Sequence, residues 1–169
     1  MAGSPHEEID AQDALNFLTS KDYHTQRFST DCVGSSDSET PSSGFFFAHP
    51  WQLEKLERHE WPALMDSTHN TTRYDWRVFT LYIRDKFGSW DVDAHFYVSH
   101  EDIITIAEAL QTVRRFGSKW EPRYILCDNS AAESAAEIAA VGIWRSRELH
   151  VVNSSATLSC ALFILCVHG

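Results

Sequence analysis

At 169 residues, with 43% hydrophobic and 22% charged side chains, the chain has the composition of one globular domain with a real core and is too short for two full ones. Its net charge of −10 argues against a self-sufficient binder of duplex DNA, which needs a basic face to neutralise phosphates, and is compatible with an acidic, metal-binding cleft. The four cysteines (Cys32, Cys127, Cys160, Cys166) form no C-x-x-C pair and no signal peptide opens the chain. Neither a disulfide framework nor a zinc knuckle is therefore indicated, and an intracellular, non-secreted protein is expected.

Taken in chain order, Asp10 is suited to cap a short helix whose apolar residues Ala14, Leu15, Phe17 and Leu18 recur at helical spacing. Residues 19–44 lose periodicity and become rich in Ser, Thr, Asp and Gly, the composition of a flexible linker, so the expected division is 1–44 and 45–169. Phe45-Phe46-Phe47 predicts a short strand. Pro50 then opens a helix through Trp51, Leu53 and Leu56, stopped at Trp61-Pro62. Ala63-Leu64-Met65 predicts a strand ending at Asp66. The β-branched and aromatic runs 77–84 and 90–98 predict two more, joined through the turn Asp85-Lys86-Phe87-Gly88. Ser99 to Asp102 resembles a capping box, and Ile103, Ile106, Ala107, Leu110 and Val113 mark a helix closed by Gly117. Tyr124 to Cys127 predicts a short buried strand. Ser130 and Glu133 predict the start of an alanine-rich helix over 131–141, and the apolar run 158–167 suggests a last strand or a short core helix. That last run is about ten residues, half of the roughly twenty a membrane-spanning helix needs, so no membrane association is expected.

The order predicts an α/β fold: an antiparallel meander of three strands, then a helical crossover to a fourth strand parallel to the first. Strand one then ends at Asp66 beside strand four, which ends at Asp128. Open α/β sheets place their sites at that carboxyl edge. Each aspartate also has a plain structural reading: Asp66 as a strand-ending Asx turn, and Asp128 as the cap of the alanine-rich helix. His69 in the following turn and the cluster Cys160, Cys166 and His168 are weaker metal-ligand candidates. Arg114, Arg115, Lys119 and Arg123 are weaker phosphate-contact candidates, since cations also favour helix C-termini. Trp51, Trp61, Trp76, Trp90 and Trp120 are suited to base stacking or, by default, to packing.

Phe47-Ala48-His49-Pro50-Trp51-Gln52, Leu64 to Thr71, Phe87-Gly88, Arg123 to Asp128, and Ala131-Ala132-Glu133, in that order and spacing, together resemble a Mutator-like (MULE) transposase domain. The resemblance covers about residues 45–140. It implies a ribonuclease-H-like, three-layer α/β fold with a mixed sheet, and a DDE-type active site that cleaves and joins DNA strands. Asp66 matches the first catalytic aspartate, in a D-x-T-x-x-T pattern, and Asp128 the second. The family's third acidic residue, a glutamate on a later helix, has no counterpart, so the domain is expected to be C-terminally incomplete and inactive alone.

DDE chemistry holds two divalent ions about 3.5–4 Å apart, one activating the nucleophile and one stabilising the leaving oxygen. Hard carboxylate ligands suit Mg²⁺ or Mn²⁺. The resemblance accordingly implies Asp66 and Asp128 as catalytic and metal-binding residues, DNA as the partner of the full-length form, and a nuclear location. Self-association into a homo-oligomer is a further expectation. The alternative is a transposase-derived, non-catalytic binding or dimerisation module.

Overall fold

The computed structural model describes residues 5–30, 41–59, 62–68, 74–122, 124–127 and 150–153. The elements in order are α1 (Pro5–Thr19), β1 (His24–Thr30), β2 (Ser42–Ala48), α2 (Pro50–Arg58), β3 (Pro62–Thr68), β4 (Arg77–Arg84), β5 (Trp90–Val98), α3 (Ile103–Phe116), β6 (Tyr124–Cys127) and β7 (His150–Asn153). They build a seven-stranded mixed sheet in the order β1-β2-β5-β4-β3-β6-β7.

The meander β3-β4-β5 is antiparallel throughout. After α3 the chain returns as β6, parallel to β3, with Pro62 opposite Tyr124, Ala63 opposite Ile125 and Leu64 opposite Leu126. This is the α/β arrangement that the element order predicts. β7 lies parallel to β6 on its outer side. At the other end β2 pairs with β5 and β1 with β2, both antiparallel.

Alternation along the strands sorts side chains onto two faces. Phe46, Phe79, Leu81, Phe96 and Met65 turn to one face and form the main core with Leu53 and Leu56 of α2 and Ile106, Leu110 and Val113 of α3. Phe45 turns to the other, where it packs with Leu15 of α1 and with Trp76. The layers are therefore α2 and α3, the sheet, and α1. Trp120 and Trp76 are buried, as packing predicts, whereas Trp51 and Trp90 are exposed.

Local chemistry explains the boundaries. Pro50 starts α2, with His49 as N-cap and Gln52 completing a capping box. Asp102 caps α3 by accepting the Thr105 amide at 2.9 Å, and the Gly117 amide closes it on the Val113 carbonyl at 2.8 Å. The β4–β5 turn uses the Asp85 carboxylate, which accepts the Phe87 and Ser89 amides, and Gly88 at φ +85°.

Three expectations are corrected. Asp10 lies inside α1, which begins at Pro5. His24–Thr30, expected within a linker, is a strand hydrogen-bonded along its length to β2. Asp66 does not end its strand: β3 continues to Thr68 with Asp66 paired to Thr80, which removes the Asx-turn reading. The expected helix over 131–141 and the apolar run 158–167 lie outside the described residues. Among the described residues no helix is long and apolar enough to cross a membrane.

Candidate functional site

Asp66 is exposed on the sheet face opposite the main core. The register places it in a cross-strand row with Thr80 on β4, His95 on β5, Phe47 on β2 and Thr25 on β1. Residues directly opposite one another share a face, so the row runs from a carboxylate through a hydroxyl and an imidazole to an aromatic ring.

The middle of the row is tied together. Thr80 Oγ1 and His95 Nδ1 are 3.1 Å apart, and the His95 ring stacks on Phe47 with centroids 4.9 Å apart and planes 22° from parallel. Burial lowers the His95 pKa, because desolvation penalises the imidazolium. A neutral ring presents one donor and one acceptor to its neighbours. Neither Thr80 nor His95 is singled out by the sequence. The signal that finds them is register: Thr80 faces Asp66 and His95 faces Thr80 once the meander is paired.

Asp128 lies outside the described residues. The strand that precedes it in sequence, β6, is described. Leu64 stands opposite Leu126, and in the sequence Asp66 and Asp128 each follow two residues after that pair. Among the described residues no group of three His, Cys, Asp or Glu side chains converges to hold a metal. Asp66 is thus the one sequence-derived ligand whose position is described, and as a solvent-accessible carboxylate oxygen donor it fits a hard divalent ion in type. His69, Cys160, Cys166, His168, Arg123 and Trp61 also fall outside the described residues.

Of the other basic candidates, Arg114 and Arg115 are engaged in ion pairs at the end of α3. Arg114 pairs with Glu121 at 3.2 Å and Arg115 with Glu108 at 2.8 Å, while the Lys119 backbone amide donates to Glu57.

A second carboxylate, unmarked in the sequence, is buried at a bulge. The ladder pairs Leu81 with Ala94 and Tyr82 with Val92, leaving Asp93 of β5 as the extra residue. No solvent reaches Asp93 and neither oxygen has a hydrogen-bond partner; its nearest charge is Lys55 Nζ of α2 at 3.6 Å, which also pairs with Asp91. Burial pushes the Asp93 carboxyl up to about 7, outweighing the Lys55 charge that pulls it down. The Gln52 amide donates to the Val92 carbonyl at 2.9 Å, so α2 grips the bulge at two points.

Comparison with known proteins gives one family. The model of the RNaseH-like domain of zinc finger SWIM domain-containing protein 1/3 matches residues 16–136. No curated protein and no solved structure matches.

Proposed function

Since the chain belongs to the family of RNaseH-like domains of zinc finger SWIM domain-containing protein 1/3, we propose that it is a nucleic-acid-directed module in which Asp66 and Asp128 together bind a divalent ion. The observation that carries this reading is the parallel register of β3 and β6, with Leu64 opposite Leu126 and each aspartate two residues beyond. Two carboxylates brought together beyond adjacent parallel strands would suit Mg²⁺ or Mn²⁺. A bound ion of this kind would supply activation of a water or hydroxyl and stabilisation of the leaving oxygen during attack on phosphorus. The chain's own contribution is to fix Asp66 through its pairing with Thr80 on a rigid central strand.

The finer form of the proposal follows the resemblance to MULE transposases: a DDE-type module for DNA strand cleavage and transfer, working in the nucleus. It makes Asp66 and Asp128 catalytic residues. In the test, purified chain is assayed for Mn²⁺-dependent nicking of supercoiled DNA and for a rise in melting temperature with Mn²⁺. Asp66→Asn and Asp128→Asn each abolish both effects. Nicking that persists in Asp66→Asn sinks the site assignment.

A second reading is favoured by the net charge of −10, which does not suit a self-sufficient binder of duplex DNA. In it the fold serves as a non-catalytic binding or dimerisation module. It is distinguished by nucleic-acid binding or self-association that is indifferent to Mn²⁺ and to Asp66→Asn.

A further inference from the structure

The row that crosses the sheet at Asp66 sets one hydroxyl beside that carboxylate. Thr80 of β4 stands directly opposite Asp66 of β3, and His95 of β5 directly opposite Thr80. Residues so paired have Cβ atoms about 4.5–5.5 Å apart, within reach of one hydrated ion. Asp66 is exposed, Thr80 is buried and His95 is half-buried. Among the described residues the side-chain partner of the Thr80 hydroxyl is His95, at 3.1 Å from Oγ1 to Nδ1, and the Asp66 carboxylate takes no hydrogen bond from Thr80.

The direction of the Thr80–His95 bond follows from satisfying both groups. A threonine hydroxyl has one proton and two lone pairs, and a neutral imidazole has one N–H and one bare nitrogen. A proton on Nδ1 would be donated to Oγ1, and the Thr80 proton would then be buried with no acceptor, which is costly. With Nδ1 bare, Thr80 donates to it, and the imidazole proton sits on Nε2 of a half-buried ring, where water accepts it. Stacking on Phe47 holds the plane of that ring. The second arrangement satisfies every group, and it leaves Thr80 Oγ1 with only lone pairs to offer its other neighbour in the row.

An oxygen that only accepts is matched to a cation, or to the proton of a water held by one. Hard divalent ions take oxygen ligands and keep part of their water shell, so a charged and a neutral oxygen side by side suit them. Resting on the reading of Asp66 as a metal ligand, we infer that Thr80 is the neutral oxygen beside it, accepting from a water of the bound ion, and that His95 is a positioning residue that holds the Thr80 proton on the far side.

Two measurements on the full chain test this. Nitrogen NMR of the histidine side chains, without metal, reads the tautomer: at neutral pH His95 is expected to be neutral with its proton on Nε2, and a proton on Nδ1 overturns the inference. Titration with Mn²⁺, followed by the electron paramagnetic resonance signal of the free ion, reads the site. Thr80→Val removes the hydroxyl at similar size and weakens Mn²⁺ binding about threefold to tenfold, the range of one net hydrogen bond, while Thr80→Ser restores it. His95→Phe keeps a ring to stack on Phe47 but no acceptor; it weakens binding in the wild-type background and changes nothing further in Thr80→Val. An equal loss in both backgrounds marks His95 as merely structural and overturns its role. Circular dichroism melts check the variants for folding, and the tautomer, read on the wild type, decides if one unfolds. Mn²⁺ binding that is lost in Asp66→Asn but unchanged in folded Thr80→Val overturns this inference and leaves the Asp66 site standing. Absence of Mn²⁺ binding in the wild type overturns both.

Discussion

Lys55 on α2 reaches to within 3.6 Å of Asp93 on β5, short of a well-formed hydrogen bond, and is the main charge that compensates a carboxylate that water does not touch. Lys55 divides its charge: it also pairs with the exposed Asp91 and lies over the Trp51 ring, 4.3 Å from its centroid. The cost of desolvating Asp93 therefore dominates, and the group is held up to about 7.

Asp93 should make the fold less stable as pH rises. Its folded-state pKa of about 7 lies above its ordinary 3.8, so between those values the native chain holds a proton that the unfolded chain has lost. Stability from this group is full below the ordinary carboxylate range and lost as pH rises through the folded value. The gap corresponds to roughly 4 kcal/mol at most. Urea unfolding of Asp93→Asn should match wild type in acid and exceed it in stability above neutrality. A constant difference at all pH values would show that Asp93 does not titrate in this range.

His95 should act in the opposite direction. Its folded pKa is lowered, so as pH falls below 6.5 the unfolded chain takes up a proton that the native imidazole refuses, and stability is lost. The two groups thus oppose each other in the mildly acidic range, and wild-type stability should vary less with pH than either variant's. His95→Gln should steepen the decline that Asp93 causes as pH rises, and Asp93→Asn should unmask the decline that His95 causes as pH falls. NMR titration of the His95 ring should place its midpoint below that of an unfolded histidine. A midpoint at or above the ordinary value would count against the buried position.

Much of this architecture is legible in the sequence because several segments carry their own signals. Runs 77–84 and 90–98 are β-branched and aromatic, and the helix at 103–116 combines helical spacing with a cap and a closing glycine. β1 is not legible. His24-Thr25-Gln26-Arg27-Phe28-Ser29-Thr30 is polar but for one phenylalanine, and it is a strand because β2 offers a full hydrogen-bonding edge beside it. The four-residue β7, His150 to Asn153, is too short to announce itself. At the candidate site the carboxylate Asp66 is visible as a residue type, but its neighbours Thr80 and His95 emerge only from register. Asp93 is hidden for a related reason: strict alternation would give it the face of Asp91 and His95, and the bulge at Leu81/Tyr82 breaks that count.

Asp102 joins two parts of the fold and should be sensitive to truncation. Its Oδ1 accepts the Thr105 amide at 2.9 Å, and its Oδ2 accepts the hydroxyls of Thr105 at 2.7 Å and of Ser42, on β2, at 3.2 Å. Asp102→Ala removes the α3 cap and orphans the buried Ser42, a loss of about 1–2 kcal/mol. Asp102→Asn keeps an acceptor for the amide and should lose less. Equal loss in the two variants, measured by urea unfolding, would mean that charge rather than capping matters there.

Gly44 gives the sharpest test of β1 as part of the sheet. It pairs with Phe28 of β1 on one side and with Val98 of β5 on the other. A Cβ at Gly44 would fall against the Phe28 ring and against the Tyr97 carbonyl, well inside van der Waals contact. The ring can rotate away, but the carbonyl belongs to the β5 backbone and cannot. Gly44→Ala should therefore destabilise by about 1–3 kcal/mol, as overpacking of a close-packed site does. Pairing with Phe28→Ala, which empties the ring's side of the clash, should recover only part of that loss beyond the cost of the Phe28 truncation itself. If β1 were instead a free linker, Gly44→Ala and Phe28→Ala would act independently and their effects would add. A double-mutant cycle by chemical denaturation measures the difference, and a coupling energy near zero would remove β1 from the sheet.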